Sequence, residues 1–315
     1  MKVYYRKQAI DQECVLALGS FDTMHIGHKE LIFRAKEYAT KHGISMGVYL
    51  FEKRPAHILE NMPQKDTYTK LQREKIIEAF GANFIYYEKF DEAFMRKSPE
   101  EFVRYLKETL SAKAVVVGFN YRFGKNASGD TERLKSLCIQ YNIDVIVVPA
   151  VCDSEGVVSS TRVRKLLEEG NVAANLLLGR AFELEGYVEK DRGVGREMGV
   201  PTANLVPDEN VLLPKDGVYM TVACVDGEYY PAVTNIGIRP TFGLDRRTVE
   251  THLLDYSGDL YGKKIRLAFY AYLRDECIFP DVDSLIRQIS EDKERAKRIF
   301  LKINAENYKM DLKND

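Results

Sequence analysis

Two histidines three residues apart, His25 and His28, sit in the run GSFDTMHIGH (19–28), with Asp22 just before them and Gly27 between them. Five apolar residues, CVLAL (14–18), lead into the run, and a segment of helical periodicity follows it. On a turn entering a helix, positions i and i+3 project from one side, so both imidazoles would face the same space. Gly27 lets a phosphate approach the backbone there. The helix start supplies unpaired N–H groups and the positive end of its dipole. Imidazoles so placed can donate hydrogen bonds to charge that develops on a phosphate during transfer. Such chemistry needs alignment and charge stabilisation but no covalent nucleophile. The plainer reading is a pair of loop histidines that satisfy carbonyls.

Two further runs in the first half carry groups of the same kind. SSTRVR (159–164) opens a helix with Ser159, Ser160 and Thr161, followed by Arg162 and Arg164. Hydroxyls at a helix start cap it, and arginine forks suit phosphate oxygens. The run is therefore either a capped helix with a solvated face or part of a triphosphate clamp. GFNYRFGKNASGD (118–130) follows the apolar AVVVG (114–118). Its glycines and aromatics, with Asn120, Phe123 and Gly124 among them, suit a loop that admits a flat ring, or else make an ordinary glycine-rich turn.

The elements that must position these groups are legible from hydrophobic texture. CVLAL (14–18), MGVYLF (46–51), NFIYY (83–87), AVVVG (114–118) and DVIVVP (144–149) are apolar nearly throughout, as strands covered on both faces are. Amphipathic segments alternate with them, with Leu31, Ile32, Ala35, Tyr38 and Ala39 on one helical face and Phe102, Val103, Leu106 and Leu110 on another. Ser98-Pro99-Glu100-Glu101 reads as a capping box with Pro in the first turn. This alternation predicts an α/β, doubly wound parallel sheet with right-handed crossovers, in which ligands bind beyond the carboxyl ends of the strands. From about residue 183 the texture changes to short β-rich runs, with Asp226-Gly227 as a hairpin signal. They predict an antiparallel barrel or sandwich, closed by a charged amphipathic helix from about 281 with Leu285, Ile286, Ile289, Ala296, Ile299, Phe300 and Ile303 at core-like spacing. The domains are expected at 1–182 and 183–315.

Composition removes several classes of function. Lys and Arg number 46 against 47 Asp and Glu, a net charge of −1, so there is no bulk electrostatic case for nucleic acid or an anionic membrane. No apolar run approaches the roughly 20 residues of a membrane span, and MKVYYRKQAIDQE lacks the apolar stretch of a signal peptide. The five cysteines are scattered, odd in number and without a CxxC pair. They argue against a disulfide framework or zinc site and for a reducing, cytoplasmic setting.

HxGH after a strand and Phe-Asp is similar to the signature of the nucleotidyltransferase superfamily. In the β-rich half, GVGREMGVPTANL (193–205) resembles the riboflavin kinase signature. GVY (217–219), NIGIRPTFG (235–243), VETHLLD (249–255), GDLYGK (258–263) and FYAYLRDE (269–276) follow in that family's order and spacing. Together with GFxxxFG and SSTRVR, the chain resembles, over nearly its whole length, the bacterial bifunctional riboflavin kinase/FAD synthetase (FMN adenylyltransferase) family. That resemblance implies two reactions that depend on ATP and Mg2+. Riboflavin takes the γ-phosphoryl group to give FMN, and FMN takes AMP to give FAD and pyrophosphate. The partners are then small molecules, namely riboflavin, FMN and ATP.

The resemblance implies roles residue by residue. In the first half, His25 and His28 face the α-phosphate, and Gly19, Phe21, Asp22, Gly27, Ser159, Ser160, Thr161 and Arg164 line the ATP site. Asn120, Phe123 and Gly124 contact flavin. In the second half, Gly193, Gly195 and Arg196 form a flap over the phosphates of ATP, which Thr202 also contacts. Thr202 and Asn204 offer neutral oxygens to magnesium. Glu250, facing the same way as Thr248 and His252, accepts the proton of the attacking ribityl hydroxyl. His252 is read as structural, and Arg274 as a contact of flavin or flap. The sequence departs from the family at Thr23 (usually Gly), at Lys53 and Arg54 of FEKRP (usually FEPHP), at Asn120 (usually Asp) and at Val200 (usually Phe). These departures keep a second reading open, a riboflavin kinase whose N-terminal domain is a non-catalytic or regulatory flavin/nucleotide-binding module.

Overall fold

A computed structural model describes residues 1–55, 58, 65–190, 201–241 and 244–303, with the side chains of 239–246 left aside. The chain falls into two compact units. Residues 1–65 and 70–160 make the first, and residues 66–69 join the chain from 161 onward in the second.

The first unit is built on a six-stranded parallel sheet. Its strands are β1 (Lys2–Tyr5), β2 (Cys14–Leu18), β3 (Ser45–Phe51), β4 (Phe84–Glu88), β5 (Ala112–Gly118) and β6 (Asp144–Val148), in the order β1-β4-β3-β2-β5-β6. Every residue of β2 is buried, which is why CVLAL reads as a continuous apolar run rather than an alternating one. The strand missing from the sequence expectation is β1, a four-residue edge strand too short to announce itself. Helix α1 (Ile26–His42) buries Leu31, Ile32, Ala35 and Ala39. Helix α2 (Lys70–Ala79), the short α3 (Glu92–Met95), α4 (Pro99–Glu108) and α5 (Thr131–Gln140) follow in this unit, then a two-stranded sheet of β7 (Cys152–Asp153) and β8 (Gly156–Val157); helices α6 (Ser160–Glu168) and α7 (Ala174–Leu178) come next along the chain. The Ser98–Glu101 capping box forms with both hydrogen bonds and Pro99 in the first turn. Gly47 is required in β3, because a Cβ there would lie 2.2 Å from the ring of Phe84. β2 pairs with β3 on one side and with β5 on the other. The strand order therefore reverses at β2, and the loops leaving β2 and β5 flank the crevice where such sheets bind ligands.

The second unit is a closed antiparallel barrel, the first of the two architectures the sequence allowed. Its strands are β9 (Phe182–Glu189), β10 (Ala203–Pro207), β11 (Gly217–Val225), β12 (Glu228–Thr241), β13 (Leu244–Leu253) and β14 (Lys264–Arg274), in the order β10-β13-β12-β11-β14-β9, closed by β9–β10 pairing. Asp226 and Gly227 both take positive φ, 51° and 87°, in the two-residue turn joining β11 to β12, as the hairpin signal required. Closure is tight at Gly186, where a Cβ would come within 2.3 Å of the Val206 carbonyl oxygen. The final helix, α8 (Val282–Lys302), is capped by Asp281. It packs on the barrel through Ala296, with Ile299, Phe300 and Ile303 partly buried, while Ile286 stays 40% exposed. The expected apolar stripe is thus only half covered, and the buried polar residue Asp292 shares its face.

No local motif marks residues 66–69 as part of this unit. Asp66 exchanges backbone hydrogen bonds with Asn210 and Leu212, each 2.7 Å, Thr67 and Tyr68 are buried, and the Arg180 guanidinium lies over the Tyr68 ring.

Candidate active sites

At the switch point, GSFDTMHIGH folds into a strained turn followed by α1. Phe21 and Met24 adopt positive φ of 46° and 51° although both are fully buried. Such a conformation costs a non-glycine residue of order 1–3 kcal/mol and persists only when surrounding contacts hold it. Thr23, flagged as a departure because glycine is usual there, is not among the positive-φ residues. Its β-branched side chain therefore creates no backbone conflict. Instead its hydroxyl lies 3.1 Å from that of Ser160, which opens helix α6 (Ser160–Glu168).

His25 is the N-cap of α1, its Nδ1 accepting the backbone N–H of His28 at 3.3 Å. Because Nδ1 is an acceptor, the proton of the neutral ring resides on Nε2, which leaves a donor at the far edge of the imidazole. The two rings stack at 3.9 Å between centroids and 18° between planes, and Phe21 tilts against His28 at 5.0 Å. Gly27 has a second duty besides access, since a Cβ there would lie 2.9 Å from the His25 ring. Asp22 is buried and forms a 3.0 Å ion pair with Arg54, also buried, from the segment after β3.

The flavin-loop residues divide. Phe123 is only 6% exposed and packs in the core against Phe102 and Tyr121, where it anchors the loop through its bridge to Gly129. Gly124 takes φ 73° with the Pro99 backbone close by. Asn120 and the neighbouring Phe119 are exposed. Sequence reasoning missed a half-buried aromatic group at the carboxyl ends of β3 and β4, where Phe51 lies 5.1 Å from both Phe90 and Phe94. Its members are scattered through three segments and show no periodicity, so nothing in the sequence joins them. Ser159 and Ser160 are half-buried; Thr161 is exposed and Arg164 half-buried one turn into α6. All five cysteines are free, and burial pushes the thiols of Cys14 and Cys138 up to about 12, which keeps them inert.

In the barrel, cross-strand register does what sequence spacing could not show. Asn204 on β10 stands opposite Glu250 on β13 and opposite Glu189 on β9, and Glu250 stands opposite Asn235 on β12. Directly opposed residues of an antiparallel pair share a face, so four oxygen-bearing side chains form one row across four strands. Their neighbours Ala203, Val249, Thr251 and Thr234 are all buried, which places the row on the outer face of the barrel. Thr248, two residues before Glu250, donates to its carboxylate at 3.4 Å. His252, two residues after, donates Nδ1–H to the carbonyl of Pro201, at 2.7 Å. It thereby ties β13 to the residue preceding Thr202, and burial holds its pKa below the ordinary 6.5. Asn235 donates to Glu276 at 3.0 Å. Glu276 was not singled out in the sequence; its carboxylate occupies the space that a side chain at Gly237 would need. Thr202 is exposed beside this row. Arg274 is engaged elsewhere, its fork on Asp292 of α8 at 2.8 and 3.0 Å. Gly193, Gly195, Arg196 and Val200 lie outside the described residues. Among the described residues there is no cluster of three or more His, Cys, Asp or Glu side chains with metal-site geometry, and no helix is long and apolar enough to cross a membrane.

The described chain is thus a doubly wound sheet with stacked histidines at its switch point, followed by a closed antiparallel barrel carrying an Asn/Glu row on its outer face. A FAD synthetase family model matches residues 7–162 and a riboflavin kinase family model matches residues 178–300. The bifunctional riboflavin kinase/FMN adenylyltransferase of Bacillus subtilis (strain 168) is 34% identical over 293 residues, 91% of this chain and 92% of the relative. That of Escherichia coli (strain K12) is 34% identical over 303 residues, 95% of this chain and 96% of the relative. A crystal structure described as a macrolide-efflux protein from Streptococcus pneumoniae superposes with a TM-score of 0.89 at 30% identity, covering 94% of this chain and 99% of that one. That description belongs to the pneumococcal protein and is not carried over. The chain belongs to the family of bifunctional riboflavin kinase/FMN adenylyltransferases. It phosphorylates riboflavin to FMN with ATP and adenylylates FMN to FAD with release of pyrophosphate. Matches to both family models favour this over the kinase-only reading.

Proposed function

We propose that the two reactions are divided between the histidine turn and the Glu250 row, within functional domains 1–182 and 183–315. The observation that carries the assignment is the opposition of Glu250 to Asn204 and Asn235 in one row, separate in sequence and in fold from the stacked pair His25/His28.

In adenylyl transfer, the FMN phosphate attacks the α-phosphorus of ATP and pyrophosphate leaves. His25 donates from Nε2 and His28 from its stacked ring toward the oxygens that gain charge. Two donors of fixed orientation stabilise that charge without reorganising. Residues 19–22, Gly27 and the hydroxyls of 159–161 bind the triphosphate, and Arg164 adds a phosphate contact. The flavin ring lies along the carboxyl edge of the sheet, near exposed Asn120 and the aromatic group of Phe51, Phe90 and Phe94. Phe123 and Gly124 act one step back by holding the loop.

In phosphorylation, Glu250 takes the proton of the ribityl hydroxyl as that oxygen attacks the γ-phosphorus. Thr248 orients the carboxylate. Thr202 and Asn204 offer neutral hard oxygens that would fit a magnesium ion, beside the Glu250 carboxylate that takes the proton. Bound there, the ion supplies charge neutralisation between phosphate groups. Gly193, Gly195 and Arg196 remain the proposed phosphate flap, and Arg274 is proposed to act on flavin only through its fixed position beside α8. A cytoplasmic protein working on small molecules, with no nucleic-acid or membrane partner, is the setting this supports.

The test is a split of activities in the full chain. His28→Ala should abolish FAD formation from FMN and leave riboflavin phosphorylation within about twofold of wild type. Glu250→Gln should lower phosphorylation by about 10²–10⁴-fold and leave FAD formation from supplied FMN intact. Equal loss of both products in both variants, in folded protein, would sink the two-site assignment.

A further inference from the structure

Asp22 and Thr23 sit between two buried residues of left-handed backbone, and each is held from a different segment. Thr23 meets Ser160 at 3.1 Å. Asp22 meets Nη1 of Arg54 at 3.0 Å, and Nη2 of the same guanidinium donates to the backbone carbonyl of Lys65 at 3.3 Å. Arg54 is 8% exposed and Asp22 4%. Its neighbour Lys53 is exposed. The two residues that most depart from FEPHP therefore have opposite environments, one buried in the site and one on the surface.

From this geometry we infer that Arg54 is a positioning residue for adenylyl transfer. It clamps the strained FDTM turn by bridging Asp22 to the Lys65 carbonyl, and so fixes His25 and His28 at the start of α1. The inference rests on the assignment of adenylyl transfer to this turn. A planar fork is suited to the task because it addresses two acceptors in fixed directions at once, which an ammonium on a flexible stem does not do. Left-handed backbone at Phe21 and Met24 is the part that needs clamping, since each residue relaxes toward negative φ when its surroundings loosen. What the sequence presented as a departure from the pattern is then the piece that holds the pattern's histidines in place.

The experiment compares wild type, Arg54→Met, Arg54→Lys and the surface control Lys53→Met as full-length protein. Two readouts are taken, amide hydrogen exchange of a peptide spanning 19–28 and steady-state FAD formation from FMN. In Arg54→Met, exchange in that peptide should rise at least tenfold. The kcat for FAD formation should fall at least tenfold, with KM for ATP changed less than threefold, the signature of lost alignment rather than a lost nucleotide contact. Arg54→Lys should recover part of both effects, Lys53→Met should match wild type, and slow amide exchange in peptides of β2 and β5 in every variant reports an intact first unit. Unchanged exchange in Arg54→Met overturns the proposal, as does a raised KM with kcat preserved. Failure of the underlying assignment looks different, because His28→Ala would then leave FAD formation intact while the exchange difference between wild type and Arg54→Met remained.

Discussion

Three threonine hydroxyls run across the inside of the barrel behind the Glu250 row. Thr221, Thr234 and Thr251, on β11, β12 and β13, are fully buried, with Oγ1–Oγ1 distances of 2.7 and 2.9 Å. Thr234 is the central link. Thr234→Val keeps the volume, so no cavity term enters, but it breaks both bonds and turns a methyl toward two buried hydroxyls. Each bond is worth a net ~1 kcal/mol, and a stranded hydroxyl costs more than that mean, so the loss is about 2–3 kcal/mol. At 1.4 kcal/mol per factor of ten, slowly exchanging amides of β11–β13 should exchange roughly 30–150-fold faster. Hydrogen exchange resolved by peptide reads the barrel apart from the first unit. The triple variant, Val at 221, 234 and 251, removes every stranded partner and should return to within about 1 kcal/mol of wild type, because replacing all partners by apolar groups of the same shape is nearly neutral. A single variant indistinguishable from wild type, or a triple variant that loses the sum of three single effects, would refute the reasoning. The consequence for function is register. A one-residue slip of β13 would turn Glu250 inward and Thr251 outward.

His252 has a folded-state pKa below its ordinary 6.5 because burial disfavours its cation. The unfolded chain therefore takes up the proton first, and barrel stability should fall as pH drops below about 6.5. A urea titration series between pH 7.5 and 5 checks this, and His252→Asn should flatten that part of the profile. Asp292→Ala leaves the Arg274 guanidinium, 23% exposed, without its carboxylate. The expected cost is ~2 kcal/mol, below the value for a fully buried broken pair because water still reaches the arginine. Thermal unfolding followed by circular dichroism should show the loss, and a melting profile equal to wild type would mean α8 is held without it.

How far the sequence could be read depended on whether its signals were local. CVLAL announced a doubly covered strand because all five residues are buried, and Ser98–Glu101 announced its helix because a capping box is complete within four residues. His25 and His28 were legible as a pair for the same reason. What escaped depends on contacts distant in sequence. The service of His25 as an N-cap, the Arg54–Asp22 pair and the row joining Asn204, Glu250 and Asn235 exist only once strands are in register. Residues 66–69 carry no motif, and only their backbone pairing beside Val211 assigns them to the barrel unit. Thr23 shows the opposite hazard. A family position usually filled by glycine suggested strain, yet positive φ falls on Phe21 and Met24, two residues the pattern does not mark.

Flavin chromatography of the purified wild-type protein shows whether one chain carries both activities. One reaction starts from riboflavin and a parallel one from FMN, each with ATP and magnesium. FMN followed by FAD is expected in the first and FAD in the second. FMN as the sole product of the first, with no FAD formed from supplied FMN, would contradict it.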